Sequence, residues 1–294
     1  MLAAEIAHAA RDARRVVDGT LGGGGHAALF LEGGAEVLGI DRDPDAIRAA
    51  QQRLGEGRIQ YLLANFWSEE ALVAVRRFEP DFILLDLGVS SHQLDLEQRG
   101  FSFRPGAPLD MRMSQDGPTA AELLNRAPEA ELRDIFAEYA DERKAGRLAR
   151  EIARRRGRAP FATSDDLVNA IRAVLGPRSG PGEFARLFQA VRIAVNDELH
   201  GLSRALPTLR DALRQGGRLA VISYHSGEDR VVKHSFQDWC RSCVCPPEAP
   251  VCTCRGRPLG KLDPKKPSRP PETETATNPR ARSATLRIFC KVEA

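Results

Sequence analysis

The sequence predicts an α/β protein in which a doubly wound, mostly parallel sheet is interrupted by an all-helical insert. In residues 16–86, short apolar runs typical of buried strands alternate with helical patterns, and the strand pattern resumes at residues 217–223. Between residues 114 and 206 the alternation stops and only helical patterns occur, with predicted helices at residues 119–126, 128–156, 164–175 and 181–202. We therefore expect a discontinuous core, residues 1–113 and 207–294, and a separate helical subdomain, residues 114–206.

Three of the predicted strands end at residues that suit a ligand site. The first leads into the glycine-rich segment Asp18–His26, the second ends at Asp41, and the fourth ends at Asp86. Because the carboxyl ends of parallel strands meet at one edge of an open sheet, we expect these residues to line one continuous crevice. The predicted strands are residues 16–17, 36–41, 59–63, 81–86, 217–223 and 284–290.

The glycine-rich segment lies between a predicted strand and a predicted helix, where backbone N–H groups can approach a ligand closely. No Lys-Ser or Lys-Thr pair follows the glycines, which disfavours a triphosphate-binding loop, and their spacing departs from the dinucleotide fingerprint. A carboxylate at Asp41 can accept both hydroxyls of a ribose. These features favour S-adenosylmethionine modestly and leave a nicotinamide cofactor open.

Composition excludes some classes of protein and leaves others open. The chain has 294 residues, of which 42% are hydrophobic and 28% are charged, as in ordinary globular proteins. It contains neither an apolar run of about 18 residues nor an export signal, so we expect a cytoplasmic protein without a membrane partner. A formal net charge of +3 is too small to indicate a nucleic-acid partner by itself.

Basic residues are nevertheless concentrated in two places. Arg143, Arg147, Arg150 and Arg154 are spaced four, three and four residues apart, which forms one stripe on a helix, with apolar residues on the opposite face. Since no interleaved acidic residue is expected to neutralise this stripe, we favour contact with phosphates over a merely solvated face. The second group is a further candidate for phosphate contact and comprises Arg280, Arg282, Lys265, Lys266 and Arg269. The proline-rich part of this group could instead be a linker.

Five of the six cysteines lie close together in a proline-rich segment, namely Cys240, Cys243, Cys245, Cys252 and Cys254. Five thiols exceed the four ligands of a tetrahedral zinc site, so a metal is sterically reasonable. The spacing is not that of paired C-x2-C motifs, however. The sequence therefore favours thiols without a metal and keeps zinc as the alternative.

Several motifs resemble one family. They are Asp18–His26, Gly39–Pro44, Asp86–Asp95, Gly100–Phe103, Leu109–Met113, Ser223–Asp229 and Asn278–Ser283. Over about Asp18 to Phe289, the chain resembles the bacterial 16S rRNA cytosine-N4 methyltransferases of the MraW type. The resemblance implies a class I S-adenosylmethionine-dependent fold and N4-methylation of a cytosine in the decoding centre of 16S rRNA, either free or in an assembling 30S subunit. Members usually carry a His-x-Pro-Val segment before the first helix, and Met1 stands where that segment would be ending, which leaves an N-terminal contribution to the pocket open.

The resemblance also implies roles for individual residues. Gly24, Gly25 and His26 would contact the methyl donor, Asp41 its ribose, Phe66 the region of the adenine, and Asp86 and Gln93 its amino-acid end. An aromatic edge suits a purine, and carboxylates suit hydroxyls and an ammonium group. Phe66 could equally be a core residue, and His26 could be a helix residue satisfied by local hydrogen bonds.

Direct transfer to the exocyclic amine of an everted cytosine requires an acceptor for an amine hydrogen, because the lone pair of that amine is delocalised into the ring. Asp86 and Asp110 are the candidate acceptors, and Tyr224 and His225 could stack on or hydrogen-bond the base. For Asp110, a helix cap or an ion pair with Arg112 is an equal alternative. Two other functions stay open: a nicotinamide-dependent oxidoreductase, and a ribosome-assembly factor that binds rRNA without transferring a methyl group.

Overall fold

The structure, a computed structural model, describes residues 2–89, 97–246, 251 and 253–292. The chain divides into two compact units. The sheet unit comprises Met1–Gly88 and Leu199–Ala294, and the helical unit comprises Val89–Glu198. Among the described residues, no helix is both long and apolar enough to cross a lipid bilayer.

Within the described part of the chain, seven strands form one sheet: β1 (Arg15–Asp18), β2 (Glu36–Asp41), β3 (Ile59–Leu63), β4 (Phe82–Asp86), β5 (Arg218–Ser223), β6 (Gly260–Leu262) and β7 (Thr285–Lys291). Their spatial order is β3-β2-β1-β4-β5-β7-β6. Strands β1 to β5 pair in parallel, whereas β7 runs antiparallel to both β5 and β6. The predicted doubly wound, mostly parallel sheet is confirmed.

The described residues also form twelve α-helices: α1 (Ala3–Ala10), α2 (Gly25–Glu32), α3 (Pro44–Leu54), α4 (Glu69–Phe78), α5 (Ala120–Arg126), α6 (Glu129–Ala140), α7 (Ala145–Arg156), α8 (Ser164–Leu175), α9 (Pro181–Asn196), α10 (Glu198–Ala212), α11 (Ser226–Cys240) and α12 (Glu272–Thr277). Helices α1 to α3 contribute to the apolar cluster on one face of the sheet. Helices α4, α10 and α11 contribute to the cluster on the other face. Both faces of the sheet are therefore covered.

The central strands are buried on both faces, which explains their continuous apolar sequences. In β4, Phe82 and Leu84 pack into one apolar cluster, whereas Ile83 and Leu85 pack into the other. All four side chains are at most 1% exposed. Side chains alternate between faces along a strand, so a strand covered on both faces needs an apolar residue at every position.

The helical unit has its own apolar core, formed by helices α5 to α9 and by the segment that precedes them. Leu109 and Met111 from that segment are buried in this core. Asn196 in α9 is buried as well, accepting the N–H of Met113 at 2.8 Å and donating to the carbonyl of Met111 at 2.7 Å. These contacts place residues 109–113 in the helical unit.

The observed division therefore differs from the predicted boundaries at residues 114 and 206. The apolar side chains of the segment before residue 114 pack with the helices rather than with the sheet. At the other end, Leu202 and Leu206 pack into a core cluster of the sheet unit. Helix α10 thus belongs to the sheet unit from Leu199 onward.

Two predicted helices are each divided in the structure. The predicted helix 128–156 ends at Ala140, since Asp141 adopts a left-handed conformation with φ 49°, and α7 begins only at Ala145. The predicted helix 181–202 is divided in the same way by Asp197, with φ 50°. Aspartate is one of the few non-glycine residues that tolerate this conformation, so no glycine or proline marks either break.

Candidate active site

Three aspartates lie at the carboxyl ends of three neighbouring strands. Asp18 ends β1, Asp41 ends β2 and Asp86 ends β4, and β1 lies between the other two. The chain order reverses between β1 and β4, which is the point at which open parallel sheets bind ligands. The predicted convergence of these strand ends is therefore present in the sheet unit.

The glycine-rich turn is anchored to the strands on both sides of β1. Gly19 donates its N–H to the carbonyl of Leu84 in β4, and Leu21 donates to Ile40 in β2, each at 2.9 Å. Gly24 precedes α2 with φ 75°, and a Cβ there would lie 2.7 Å from Cδ1 of Leu54. The left-handed conformation favours glycine at this position, and an added Cβ would also displace the side chain of Leu54. A Cβ at Gly23, by contrast, would meet nothing within 4 Å, so this side of the turn is open.

The carboxylate of Asp41 faces the glycine-rich turn. Its two oxygens accept the N–H groups of Gly22 at 2.8 Å and Asp43 at 2.9 Å. Burial raises the pKa of Asp41, although the two backbone hydrogen bonds oppose this effect. The side chain is thus fixed beside the turn, and its oxygens retain lone pairs for further donors.

Asp86 is the centre of a hydrogen-bonded group at the end of β4. Tyr224, which follows β5, donates its hydroxyl to Oδ1 of Asp86 at 2.6 Å. Nε2 of His26, near the start of α2, lies 3.4 Å from Oδ2. The backbone N–H of Asp86 donates to the hydroxyl of Thr20 at 2.6 Å. The carboxylate is therefore oriented from both sides by groups on two other elements.

Tyr224 is held as a neutral hydrogen-bond donor. Burial raises the pKa of its phenol, and the adjacent charge of Asp86 raises it further. An anionic phenolate beside Asp86 would be repelled, so the proton stays on the tyrosine oxygen. This hydroxyl can position the carboxylate but cannot act as a base at neutral pH.

Asp18 also belongs to this hydrogen-bonded group, although it was not among the predicted site residues. It is 1% exposed, and its Oδ1 accepts the N–H of Thr20 at 3.3 Å. Burial raises the pKa of Asp18 to about 7; His26 lowers it, and the charges of Asp86 and Asp41 add to the increase. The available signal was its position at the end of the first strand, directly before the glycines. A buried carboxyl that titrates near neutrality marks a candidate functional site.

Comparison with known proteins decides the family. Residues 3–292 match the MraW methylase family. The chain belongs to this family. It is 60% identical over 294 residues to ribosomal RNA small subunit methyltransferase H of Gemmatimonas aurantiaca, with 98% of this chain and 93% of that protein covered. The protein of the same name from Heliobacterium modesticaldum is 47% identical over 287 residues, with 94% and 92% covered.

Among solved structures, an rRNA methylase from Streptococcus thermophilus aligns with this MraW family member at 14% identity and a TM-score of 0.41, with 99% of this chain and 94% of that chain covered. The resemblance drawn from the sequence motifs is confirmed by the family match.

Phe66 lies in the apolar core of the sheet unit, and its predicted contact with the cofactor stays a prediction. Phe66 is 8% exposed, packs edge-on against Trp67 at 4.7 Å between ring centroids, and belongs to a core cluster of the sheet unit. This environment is the one expected for the core alternative. Gln93 lies outside the described residues, so its role stays a prediction. Gly25 is the first residue of α2, directly after the turn.

His225 occupies the N-cap of α11. Its Nδ1 accepts the N–H of Glu228 at 3.4 Å, and its Nε2 lies 3.2 Å from Oε1 of the same residue. Glu228 in turn accepts the N–H groups of Tyr224 and His225. The ring thus fixes the start of the helix next to Tyr224, and its contact with a base stays a prediction.

Asp110 belongs to the helical unit, where it forms a two-pronged ion pair with Arg112. The distances are 2.9 Å from Nε to Oδ1 and 2.8 Å from Nη2 to Oδ2. Burial alone would raise the pKa of Asp110, but hydrogen bonds and charge from Arg112 outweigh it, and the net pKa is lowered. The geometry is that of the ion-pair alternative, and a carboxylate held in this way is a poor proton acceptor.

The arginine stripe differs from its prediction in two respects. Arg143 lies before α7, because the predicted helix is interrupted at Asp141, so only Arg147, Arg150 and Arg154 are on the helix. Acidic residues also neutralise part of the stripe. Glu151 pairs with Arg154 at 2.7 Å, and Glu129 lies 3.7 Å from Arg150. The opposite, apolar face is buried as predicted.

Arg143, which precedes α7, and Arg147, in the first turn of α7, are both exposed. In the sheet unit, Arg280 and Arg282 are exposed in the short 3-10 helix Pro279–Ser283. Their exposure keeps these four side chains as predicted RNA contacts, whereas Arg150 and Arg154 lie beside acidic residues.

Proposed function

We propose that this protein transfers a methyl group from S-adenosylmethionine to N4 of a cytosine in the decoding centre of 16S rRNA, acting on the free RNA or on the assembling 30S subunit. The observation that carries the proposal is the hydrogen-bonded group at the strand ends, in which Asp41 faces the glycine-rich turn and Asp86 is held by Tyr224. The family membership and the names of the relatives support the substrate.

The residues at the strand ends fit the chemical parts of S-adenosylmethionine. The fixed carboxylate of Asp41 suits the two hydroxyls of a ribose, and the open side of the glycine-rich turn allows close approach to backbone N–H groups. The carboxylate of Asp86 suits an ammonium group and a nearby positive sulfonium. When it is bound, S-adenosylmethionine supplies an electrophilic methyl group.

The remaining task of the protein is to orient the cytosine amine and to accept one of its hydrogens. We assign this task to Asp86, because Tyr224 is a neutral donor and Asp110 is already paired with Arg112. One oxygen of Asp86 accepts the tyrosine hydroxyl, and the carboxylate keeps lone pairs on both oxygens for an amine N–H. Tyr224 is then a positioning residue that fixes the direction of this carboxylate.

The RNA would be bound by exposed arginines rather than by the whole predicted stripe. Arg143 and Arg147 on the helical unit, with Arg280 and Arg282 on the sheet unit, are the proposed phosphate contacts. Such contacts position a nucleic acid without reading its sequence. Arg154 is proposed to contribute less, because it is already paired with Glu151.

A binding experiment tests the cofactor. Calorimetry with S-adenosylhomocysteine and, separately, with NADH should show binding of the first ligand only, and Asp41→Ala should abolish it. Binding of NADH instead would support the oxidoreductase alternative and would overturn the proposal.

A genetic experiment tests the reaction. Nucleosides of 16S rRNA from cells with an inactivated gene should lack N4-methylcytidine, the wild-type gene should restore it, and Asp86→Asn should not. If the deletion left N4-methylcytidine unchanged while small subunits assembled poorly, the protein would be an assembly factor and the proposal would be wrong.

A further inference from the structure

Three cysteines converge in the segment that follows α11. The Sγ atoms of Cys243, Cys245 and Cys254 all lie within 4.8 Å of one another. The sequence separates Cys254 from the other two by nine or more positions, so the fold of the segment brings them together. Cys252 lies outside the described residues.

The distance between two of these sulfurs fits a shared metal ion. Sγ of Cys243 and Sγ of Cys254 are 3.8 Å apart. A disulfide bond would bring them to about 2.05 Å. Two thiolates bound to one tetrahedral zinc at about 2.3 Å each are separated by about 3.8 Å, which is the edge of that tetrahedron. The observed separation equals the second value and also lies within the range of a hydrogen bond from the thiol of Cys254 to Sγ of Cys243.

Backbone N–H groups are directed at the sulfurs. Val244 donates its N–H to Sγ of Cys254 at 3.3 Å, and Cys245 accepts backbone N–H groups of Thr253 and Cys254. Such hydrogen bonds stabilise negative charge on sulfur and orient the ligands around a metal. They are the outer contacts that a thiolate site requires.

The other described cysteines have different environments. Cys240, at the end of α11, packs against a core cluster of the sheet unit, and Cys290 is buried in β7. Cys243 is exposed, and Cys245 and Cys254 are half-buried. The three clustered thiols therefore are not apolar core residues, whereas Cys240 is a nearby thiol that serves as a matched control.

An arginine side chain holds together the two ends of the segment that contains these three cysteines. Nη2 of Arg255 donates to the carbonyl of Arg241 at 2.9 Å and also contacts the carbonyl of Asp238 in α11. The residue after Cys254 is thus tied to the end of the helix that precedes Cys243. A metal bound between these cysteines would close a loop whose ends already meet.

We propose that Cys243, Cys245 and Cys254 bind one zinc ion as thiolates, and that this zinc fixes the loop between α11 and β6. The fourth coordination position is filled by water or by another donor. The proposal reverses the expectation from the sequence, which favoured thiols without a metal. It is independent of the methyltransferase reaction, because none of the three cysteines belongs to the group at the strand ends.

Metal analysis of the full chain tests the proposal. The protein is purified under reducing, anaerobic conditions, loaded with zinc, washed with a weak chelator and measured by elemental mass spectrometry. We expect one zinc per chain in the wild type and in Cys240→Ser, and only trace zinc in Cys243→Ser and Cys254→Ser. Replacement of zinc by Co²⁺ in the wild type should give the thiolate charge-transfer absorption and the intense visible bands of a tetrahedral cobalt site.

Three results would overturn the assignment. They are a wild-type chain that retains no zinc and gives no cobalt–thiolate absorption, equal zinc content in the wild type and in Cys243→Ser, and loss of zinc in Cys240→Ser. The cobalt spectrum of the wild type needs no variant, so misfolding of a variant does not prevent the test.

Discussion

Replacement of Asp18 by asparagine removes a carboxyl group whose ionisation the folded protein opposes. The side chain is 1% exposed, and burial, with the charges of Asp86 and Asp41 adding to it, raises its pKa to about 7. Asparagine has nearly the same shape, and its carbonyl oxygen can still accept the N–H of Thr20. The substitution therefore tests the charge of this site with little change in packing.

The pKa shift fixes the sign and the size of the effect. Between the unfolded pKa of 3.8 and the folded pKa of about 7, the unfolded chain loses this proton while the folded chain keeps it. The contribution of Asp18 to the unfolding free energy of the wild type is therefore greatest at low pH and falls as pH rises to 7. The Asp18→Asn variant lacks this contribution. The unfolding free energy of the variant, relative to the wild type, should increase by about 3 kcal/mol between pH 5 and pH 8.

Urea denaturation at pH 5, 6, 7 and 8 measures this difference, with the fluorescence of Trp67 and Trp239 as the probe, because both tryptophans lie in the sheet unit. Comparison with the wild type at each pH cancels the titration of groups that do not interact with Asp18; His26, Asp41 and Asp86 do interact with it. A difference that is constant across the pH range, or that decreases as pH rises, would refute the argument that Asp18 is a buried carboxyl with a raised pKa.

The remaining predictions concern the cofactor turn, the positioning tyrosine and the RNA surface. Tyr224→Phe removes the 2.6 Å hydrogen bond from the tyrosine hydroxyl to the carboxylate of Asp86. We expect kcat/KM for methyl transfer to fall roughly 10- to 100-fold, with little change in the urea midpoint. An unchanged kcat/KM would exclude the positioning role of Tyr224. Gly24→Ala imposes a left-handed conformation on alanine, so it should lower the unfolding free energy by about 1–2 kcal/mol. It should also weaken the binding of S-adenosylhomocysteine measured by calorimetry. Equal stability of the variant and the wild type would contradict the left-handed conformation of Gly24. Arg143→Glu with Arg147→Glu should weaken binding to 16S rRNA fragments and reduce the salt dependence by a slope of roughly 1.5, with binding of S-adenosylhomocysteine unchanged. As a control, Arg77→Glu in α4 makes the same type of charge change on the sheet unit and should leave RNA binding intact. An equal loss of RNA binding in this variant and in the Arg143/Arg147 variant would show that α7 does not contact the RNA.

The strands were predictable because burial on both faces leaves a direct record in the sequence. In β4 every position from Phe82 to Leu85 must be apolar, and Asp86 then appears where the strand leaves the sheet. Strand β6 has three residues and is formed by pairing with β7, so its sequence carries no comparable pattern. Pairing with a distant partner is not visible in a local pattern.

The helix breaks and the charge pairs were less predictable. Asp141 and Asp197 end helices in a left-handed conformation without a glycine or proline signal. The break at Asp141 removed Arg143 from the predicted stripe. Glu151 was visible in the sequence, but its pairing with Arg154 on the exposed face requires the helical position of both residues.

At the candidate site, the sequence predicted which strand ends converge but not how their charges interact. Asp41 and Asp86 were predicted from their positions after apolar runs. The raised pKa of Asp18 and the bond from Tyr224 to Asp86 depend on burial and on distances between residues far apart in the chain. Such quantities follow from the folded arrangement and not from spacing.

The most direct test of the central claim is the position of the transferred methyl group. The purified protein is incubated with S-adenosylmethionine that carries a deuterated methyl group and with small subunits from cells that lack the gene, and the nucleosides of the decoding-centre fragment are analysed by mass spectrometry. The proposed reaction predicts one deuterated N4-methylcytidine in wild-type reactions and none with Asp86→Asn. Label on C5, on a ribose or on another base, or no label in the RNA at all, would contradict it.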